Sequence, residues 1–170
     1  NFMEISMTNK TLNLVGQFEK SSSDDSDVLK IKGYANTTSK DRVGDIIRES
    51  AWLKGGLDNY LKNPIILAYH NHSKPIGTTV DYSVSSKGLE VVAEISSAAG
   101  EVYNLIKDGV LKTFSVGFSI KDAEYDKEDE IFYIKDLELL EISVVSVPAN
   151  QDSTFSIAKA LGDDYADFKK

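Results

Sequence analysis

The sequence predicts an α+β fold in which a mostly antiparallel β-barrel is flanked by helices. About seven or eight segments show the alternating or short apolar patterns that are typical of strands. Two further segments, residues 49–61 and 98–109, carry apolar side chains at helical spacing. The length of 170 residues suits one domain with one sizeable core. We therefore expect a single domain over residues 1–170, with its core at about 10–152 and peripheral tails at 1–9 and 153–170.

The first third of the chain alternates strands with polar loops and then enters a helix. Residues 11–18 and 28–36 alternate apolar and polar side chains, as half-buried strands do, and the acidic stretch 21–27 between them is a solvated connection. Four apolar residues at helical spacing predict the helix over 49–61: Trp52, Leu53, Leu57 and Leu61. Asn63-Pro64 ends this helix because proline has no N–H and restricts the residue before it.

The remainder of the chain is predicted to be mainly strands. Its predicted elements are a buried strand at 65–69, a hairpin of strands 78–84 and 89–95, a helix at 98–109, two long strands at 110–125 and 130–147, and a short helix in the tail from Ser153. Strands in this number pack best as a barrel or a sandwich.

Composition excludes several classes of function. Acidic residues outnumber basic ones by 27 to 19, and the resulting charge of −8 repels nucleic acid and anionic membranes. The chain has no cysteine, which excludes disulfides, thiolate nucleophiles and cysteine-ligated metal centres. No apolar run approaches the roughly 20 residues of a membrane-spanning helix. We expect a soluble intracellular domain.

The two histidines of the chain, His70 and His72, directly follow the predicted buried strand at 65–69. Histidines at a strand end are more often structural than catalytic. Their spacing places both on one side of an extended chain, so a His-x-His metal site is an alternative. Such a site needs a third ligand, for which the candidates are Asp41, Asp45 and Glu141, and the spacing favours none of them.

Ser115 lies within the predicted strand 110–125. Phe114, Val116, Phe118 and Ile120 share one face of this strand and should be core, whereas Ser115 and Gly117 share the other. Serine is unremarkable on an exposed barrel face. An alternative interpretation is that Gly117 leaves room beside Ser115 for a substrate backbone.

Glu141 stands at the head of an otherwise apolar, β-branched strand. A buried carboxylate is costly unless it is paired or hydrogen-bonded, so Glu141 either faces solvent or has a partner such as an imidazole. If the two long strands form a hairpin centred near residue 128, Ser115 and Glu141 stand at the same height on neighbouring strands. A hydroxyl, an imidazole and a carboxylate are the parts of an acyl-transfer triad.

Five stretches of the sequence, in order, carry a resemblance to a known family. They are 33–36 with Asp41 and Gly44-Asp45; 66–70 with Pro75-Ile76-Gly77; Gly88-Leu89; 109–111 with 114–118; and 140–150. Together they span about residues 30–152. This ordered set resembles the prohead maturation proteases of tailed bacteriophages, whose fold is related to that of the herpesvirus assemblin protease.

The resemblance implies a role for each candidate residue. His70, five residues before Pro75, becomes the general base, Ser115 becomes the nucleophile, and Glu141 becomes the third member of the triad. Because the herpesvirus relatives use a second histidine as third member, His72 is the competitor of Glu141.

The function implied is that of a serine endopeptidase which works without a cofactor inside the assembling procapsid, in the bacterial cytoplasm. Its expected substrates are scaffold protein or the scaffold-like arm of the major capsid protein, and often the protease itself. Nucleic acid and membranes are not expected partners, and self-association of the protease is left open. The alternatives are a non-catalytic capsid-assembly or scaffolding factor with the same fold, and a small β-barrel hydrolase acting on another ester or amide.

Overall fold

A computed structural model describes residues 2–5, 11–21, 28–36 and 46–147. These residues form nine strands and three short helices. The strands are β1 (Phe2–Ile5), β2 (Thr11–Ser21), β3 (Leu29–Asn36), β4 (Ile46–Ile47), β5 (Ile65–Ala68), β6 (Asn71–Ser85), β7 (Gly88–Ile95), β8 (Thr113–Asp126) and β9 (Ile131–Val145). The helices are α1 (Glu49–Leu53), α2 (Asp58–Leu61) and α3 (Glu101–Lys107), and a 3-10 turn at Ser97–Ala99 precedes α3.

Seven of the strands close into a barrel. Their order is β8-β2-β3-β7-β6-β5-β9, and β9 pairs back onto β8 to complete the ring. Pairing within the ring is antiparallel except between β5 and β9, which run parallel. β1 adds to β8, and β4 adds to β9. The prediction of a barrel made mostly of strands, with few helices, is confirmed.

The core lies inside the ring and is built from the alternating apolar positions. Phe114, Val116, Phe118 and Ile120 of β8 are fully buried in it, as their shared face predicted. Trp52 of α1 packs edge-on against Phe118 with ring centroids 6.1 Å apart, so this helix covers the barrel wall next to β9. Each such large apolar side chain contributes about 1.5–3 kcal/mol by leaving water.

Glycines interrupt both predicted helices. The segment predicted as one helix over 49–61 divides into α1 and α2, because Gly55 has a φ of +95° and the chain turns there. A Cβ at Gly56 would lie 2.3 Å from the carbonyl oxygen of Ala51, so the turn closes only with glycine. In the segment 98–109, Gly100 at a φ of +63° separates the 3-10 turn from α3. None of the described helices is long and apolar enough to cross a membrane.

The chain also pairs in ways that the sequence pattern did not predict. β6 starts at Asn71, so it includes His72, which was expected in a loop. β1 and β4 were not predicted as strands. The predicted tail helix, the 148–150 end of the 140–150 motif, and Asp41, Gly44 and Asp45 lie outside the described residues.

The register of β8 and β9 differs from the predicted one by two residues. Ser115 is opposite Ser143, and Gly117 is opposite Glu141, so the prediction of Ser115 and Glu141 at one height is wrong. Two features account for the difference. The hairpin turns later than expected, and its last pair is Asp126 and Ile131. In addition, Leu140 is an extra residue in a bulge of β9.

Candidate active site

His70 follows β5 in a strained conformation. Tyr69 and His70 both have left-handed backbones, with φ values of 56° and 58°, which cost about 1–3 kcal/mol each in residues other than glycine. Two hydrogen bonds to β9 hold this turn: the N–H of Tyr69 donates to the carbonyl of Val144 at 2.9 Å, and the N–H of His70 donates to the Ser143 hydroxyl at 3.2 Å. These two hydrogen bonds thus fix the backbone of His70 against β9.

A bulge in β9 turns Glu141 out of the core. Leu137 and Leu139 point into the barrel, and after the extra residue Leu140 the inward positions are Ile142 and Val144. Without the bulge, strict alternation from Leu137 and Leu139 would place the Glu141 carboxylate among core side chains, which is costly for an unpaired charge. On the outer face it pairs with His70.

The Glu141 carboxylate accepts two hydrogen bonds. Oε1 contacts Nδ1 of His70, and Oε2 accepts from the Ser143 hydroxyl at 2.5 Å. The Glu141 side chain is 15% exposed and the His70 side chain 39%, so the imidazole reaches solvent while the carboxylate is mostly covered. With the carboxylate ionised, Nδ1 must carry the proton, and Nε2 is left as the unprotonated nitrogen.

Gly117 leaves room for this carboxylate. A Cβ at Gly117 would lie 2.9 Å from Oε1 of Glu141 and 3.3 Å from Oδ1 of Asn13. The interpretation that Gly117 makes room for a substrate backbone is therefore replaced, because Glu141 occupies that space.

Ser115 lies on the same outer face of the barrel, next to the pair. It is opposite Val15 of β2 on one side and Ser143 of β9 on the other, and it is 2% exposed. Within the described part of the chain, no hydrogen bond joins its hydroxyl to His70. The structure therefore joins His70 directly to Glu141 and places Ser115 on the adjoining strand.

Ser143 belongs to the site in a way that the sequence analysis did not predict, because it lies outside the proposed triad of Ser115, His70 and Glu141. Its side chain is fully buried, and its hydroxyl contacts both the Glu141 carboxylate and the His70 backbone. Its position two residues after Glu141 was the available signal, because alternate residues of a strand share a face.

His72 lies on β6, where it lines an open groove of about 470 Å³ that Glu141 also lines. The other residues lining the groove come from α2, β5, β6 and β9 and the turn after α2: Asn59, Tyr60, Asn63, Ile65, Leu67, Pro75, Leu140 and Glu141. No group of three histidine, aspartate or glutamate side chains suited to a metal occurs among the described residues. Asp41 and Asp45, two of the proposed third ligands, lie outside those residues.

Tyr60 forms part of this groove and is held neutral. Its hydroxyl donates to the carbonyl of Ile65 at 3.0 Å and pairs with Oγ1 of Thr79 at 2.9 Å. Burial raises the pKa of Tyr60 well above its usual range, and the negative charge of Glu141 adds to the rise, whereas the hydrogen bond with Thr79 opposes it. The groove wall next to Glu141 thus carries a neutral phenol.

The arrangement is suited to general-base chemistry. A carboxylate on Nδ1 fixes one tautomer of His70 and would stabilise the imidazolium that forms when Nε2 takes a proton. A serine hydroxyl, that of Ser115, lies on the next strand of the same face. Serine becomes a nucleophile when a neighbouring base takes its proton.

Comparisons with known proteins agree on one family. The family model of caudovirus prohead serine proteases, peptidase family S78, matches residues 17–168. The prohead protease of Escherichia phage T5 is 55% identical over 146 residues, which are 84% of this chain and 70% of that protein.

Two further proteins are similar over most of this chain. The capsid polyprotein of Pseudomonas phage PAJU2 is 31% identical over 141 residues, and the match covers 77% of this chain but 20% of the polyprotein. Among solved structures, the capsid assembly protease gp21 of bacteriophage T4 superposes with a TM-score of 0.54 at 11% identity, over 82% of this chain and all of that chain. At that identity the likeness concerns the fold.

Proposed function

Because the chain belongs to the family of caudovirus prohead serine proteases, we propose that it is a capsid maturation endopeptidase with a Ser-His-Glu triad. In this proposal Ser115 is the nucleophile, His70 the general base and Glu141 the residue that orients His70. The observation that supports it most strongly is the contact between His70 Nδ1 and the Glu141 carboxylate on the face that Ser115 shares.

The proposed reaction proceeds in two halves. Nε2 of His70 takes the proton of the Ser115 hydroxyl as Oγ attacks the scissile carbonyl, and the imidazolium then protonates the leaving amine as the C–N bond breaks. Water hydrolyses the acyl-enzyme by the same route, which returns the proton to Ser115. Catalytic hydrogen bonds are often long before substrate binds, so the lack of a Ser115–His70 bond in the free protein is compatible with this role.

Ser115 is a better candidate for the nucleophile than Ser143. The Ser143 hydroxyl already donates to Glu141 and accepts from the His70 backbone. It directs its proton at the Glu141 carboxylate and therefore not at Nε2 of His70. The Ser115 hydroxyl has no such partner among the described residues.

The groove beside Glu141 is the proposed binding site for the substrate segment on one side of the cut. Its lining includes the apolar Ile65 and Leu67 and the amides of Asn59 and Asn63, and no lysine or arginine of the described residues lines it. Glu141 at its end adds negative charge. An uncharged side chain therefore fits it better than an acidic one.

The proposed substrates are scaffold protein or the scaffold-like arm of the major capsid protein, and the protease itself, within the procapsid. The similarity to a segment of a capsid polyprotein supports a role with capsid proteins and self-processing, since the matched segment is only 20% of that longer polyprotein. Kinship with the herpesvirus assemblin fold remains a prediction from the sequence.

Co-expression of the protease with its cognate major capsid protein tests the proposal. Intact-mass spectrometry should find discrete fragments with wild-type protease and none with Ser115→Ala, because loss of a triad nucleophile costs on the order of 10⁴-fold or more. Ser119→Ala, which removes a hydroxyl from the same face of β8, is the control and should cleave normally. Normal cleavage by Ser115→Ala would move the nucleophile elsewhere. Absence of cleavage by the folded wild type would favour the non-catalytic assembly factor.

A further inference from the structure

We propose that Ser143 is a positioning residue, whose one buried hydroxyl holds both His70 and Glu141 in place. The inference rests on the proposed function, because it concerns the same site. Ser143 touches neither substrate nor the reacting atoms. It acts through the two residues that it contacts, His70 and Glu141.

The Ser143 hydroxyl makes one hydrogen bond to each member of the His70–Glu141 pair. It donates to Oε2 of Glu141 at 2.5 Å, while Oε1 of the same carboxylate faces the His70 ring. It accepts the backbone N–H of His70 at 3.2 Å. Ser143 therefore contacts the carboxylate on the oxygen that the imidazole does not use, and also the backbone from which the imidazole extends.

The second contact lies just beyond the point where the sheet pairing ends. The parallel pairing of β5 with β9 ends at Ala68 and Val144, and the next N–H, that of Tyr69, still reaches the Val144 carbonyl. Because the chain then turns through two left-handed residues, the N–H of His70 points at the Ser143 side chain. The Ser143 hydroxyl thus helps to keep a costly conformation populated.

Both contacts depend on complete burial. The Ser143 side chain is 0% exposed, so water cannot easily replace its hydroxyl as a donor to Oε2 or as an acceptor for the His70 N–H. Without the hydroxyl, the carboxylate loses the bond that fixes its rotation, and the turn loses one of its two anchors. Small misplacements of catalytic groups reduce the rate more than they reduce substrate binding.

Kinetics of Ser143→Ala give the first test. We expect kcat to fall about 10- to 150-fold, the range for losing a hydrogen bond to a charged group, while KM changes little. Ser143→Cys keeps a weak donor of similar shape and should lose less. Ser119→Ala, which removes a buried hydroxyl that contacts neither residue, should match the wild type.

NMR of the His70 imidazole gives a readout that does not need proteolysis. In the Ser115→Ala background, the Nδ1–H resonance of His70 should lie downfield, as expected for a proton bonded to a carboxylate, and Ser143→Ala should shift it or broaden it away. An unmoved resonance together with a wild-type kcat in Ser143→Ala would overturn the positioning role and leave the proteolytic function intact. A moved resonance, together with no cleavage of capsid substrate by the folded protein that retains Ser115, would support the positioning role and refute the proposed function.

Discussion

Replacing Glu141 by glutamine tests the pairing on which the proposed mechanism depends. The carboxylate accepts from two donors, the Ser143 hydroxyl and the His70 Nδ1–H. An amide offers one oxygen and one NH₂, so it can accept from one donor while its NH₂ faces the other. Either Ser143 must turn away, or His70 must take the tautomer that carries its proton on Nε2, where the base is needed.

The structure sets the expected magnitude. Loss of one hydrogen bond to a charged group costs about 1.5–3 kcal/mol, which is roughly 10- to 150-fold in rate. In a buried triad, the wrong tautomer costs about 10⁴-fold. The His70 side chain is 39% exposed, so water stabilises part of the imidazolium charge and the effect should lie between these values. We expect kcat to fall about 10²- to 10³-fold, with little change in KM.

The assay is steady-state cleavage of a peptide that spans a mapped cut site, with thermal unfolding as the check on folding. Glu138→Gln is the matched control, because Glu138 belongs to the same strand but lies opposite Ser119 and not Gly117. It should cleave as the wild type does. If folded Glu141→Gln also had the wild-type kcat, Glu141 would not be part of the triad, and the argument from its contact with His70 would fail.

Three further substitutions address this pair and its neighbours. His70→Ala should be as inactive as Ser115→Ala. His72→Ala should retain at least part of its kcat and chiefly raise KM, because His72 lines the groove and does not contact Glu141. If both histidine variants were equally inactive in the peptide assay, His72 would become the third member of the triad. Gly117→Ala should lower kcat about 10- to 100-fold with little change in thermal stability. The added methyl group would lie 2.9 Å from Oε1 of Glu141, and the flexible Glu141 side chain can relieve this contact only by moving away from His70. Full activity would show that the carboxylate has room to adjust.

Much of the fold followed from local patterns. Alternation along β8 identified the inward face that Phe114 and Phe118 occupy, and the sequence identified both long strands to within a few residues. The prediction of one continuous helix over 49–61 is wrong. The helical spacing of apolar residues persists across Gly55 and Gly56, although the backbone turns there. Spacing reports where side chains point, but a glycine's conformation depends on what it packs against.

The site was predictable as a set of residue types but not as a geometry. The sequence by itself determined that a hydroxyl, an imidazole and a carboxylate occur at strand ends or on polar strand faces, because composition and alternation are local properties. Only the tertiary structure decided that Ser115 pairs with Ser143, that Gly117 makes room for Glu141, and that Ser143 contacts both members of the His70–Glu141 pair. Those outcomes depend on a bulge at Leu140 and on a left-handed turn at Tyr69 and His70. The bulge depends on how β9 pairs with β8, and the turn is held by hydrogen bonds to β9, one of which spans 73 residues of the sequence, so no local pattern encodes them.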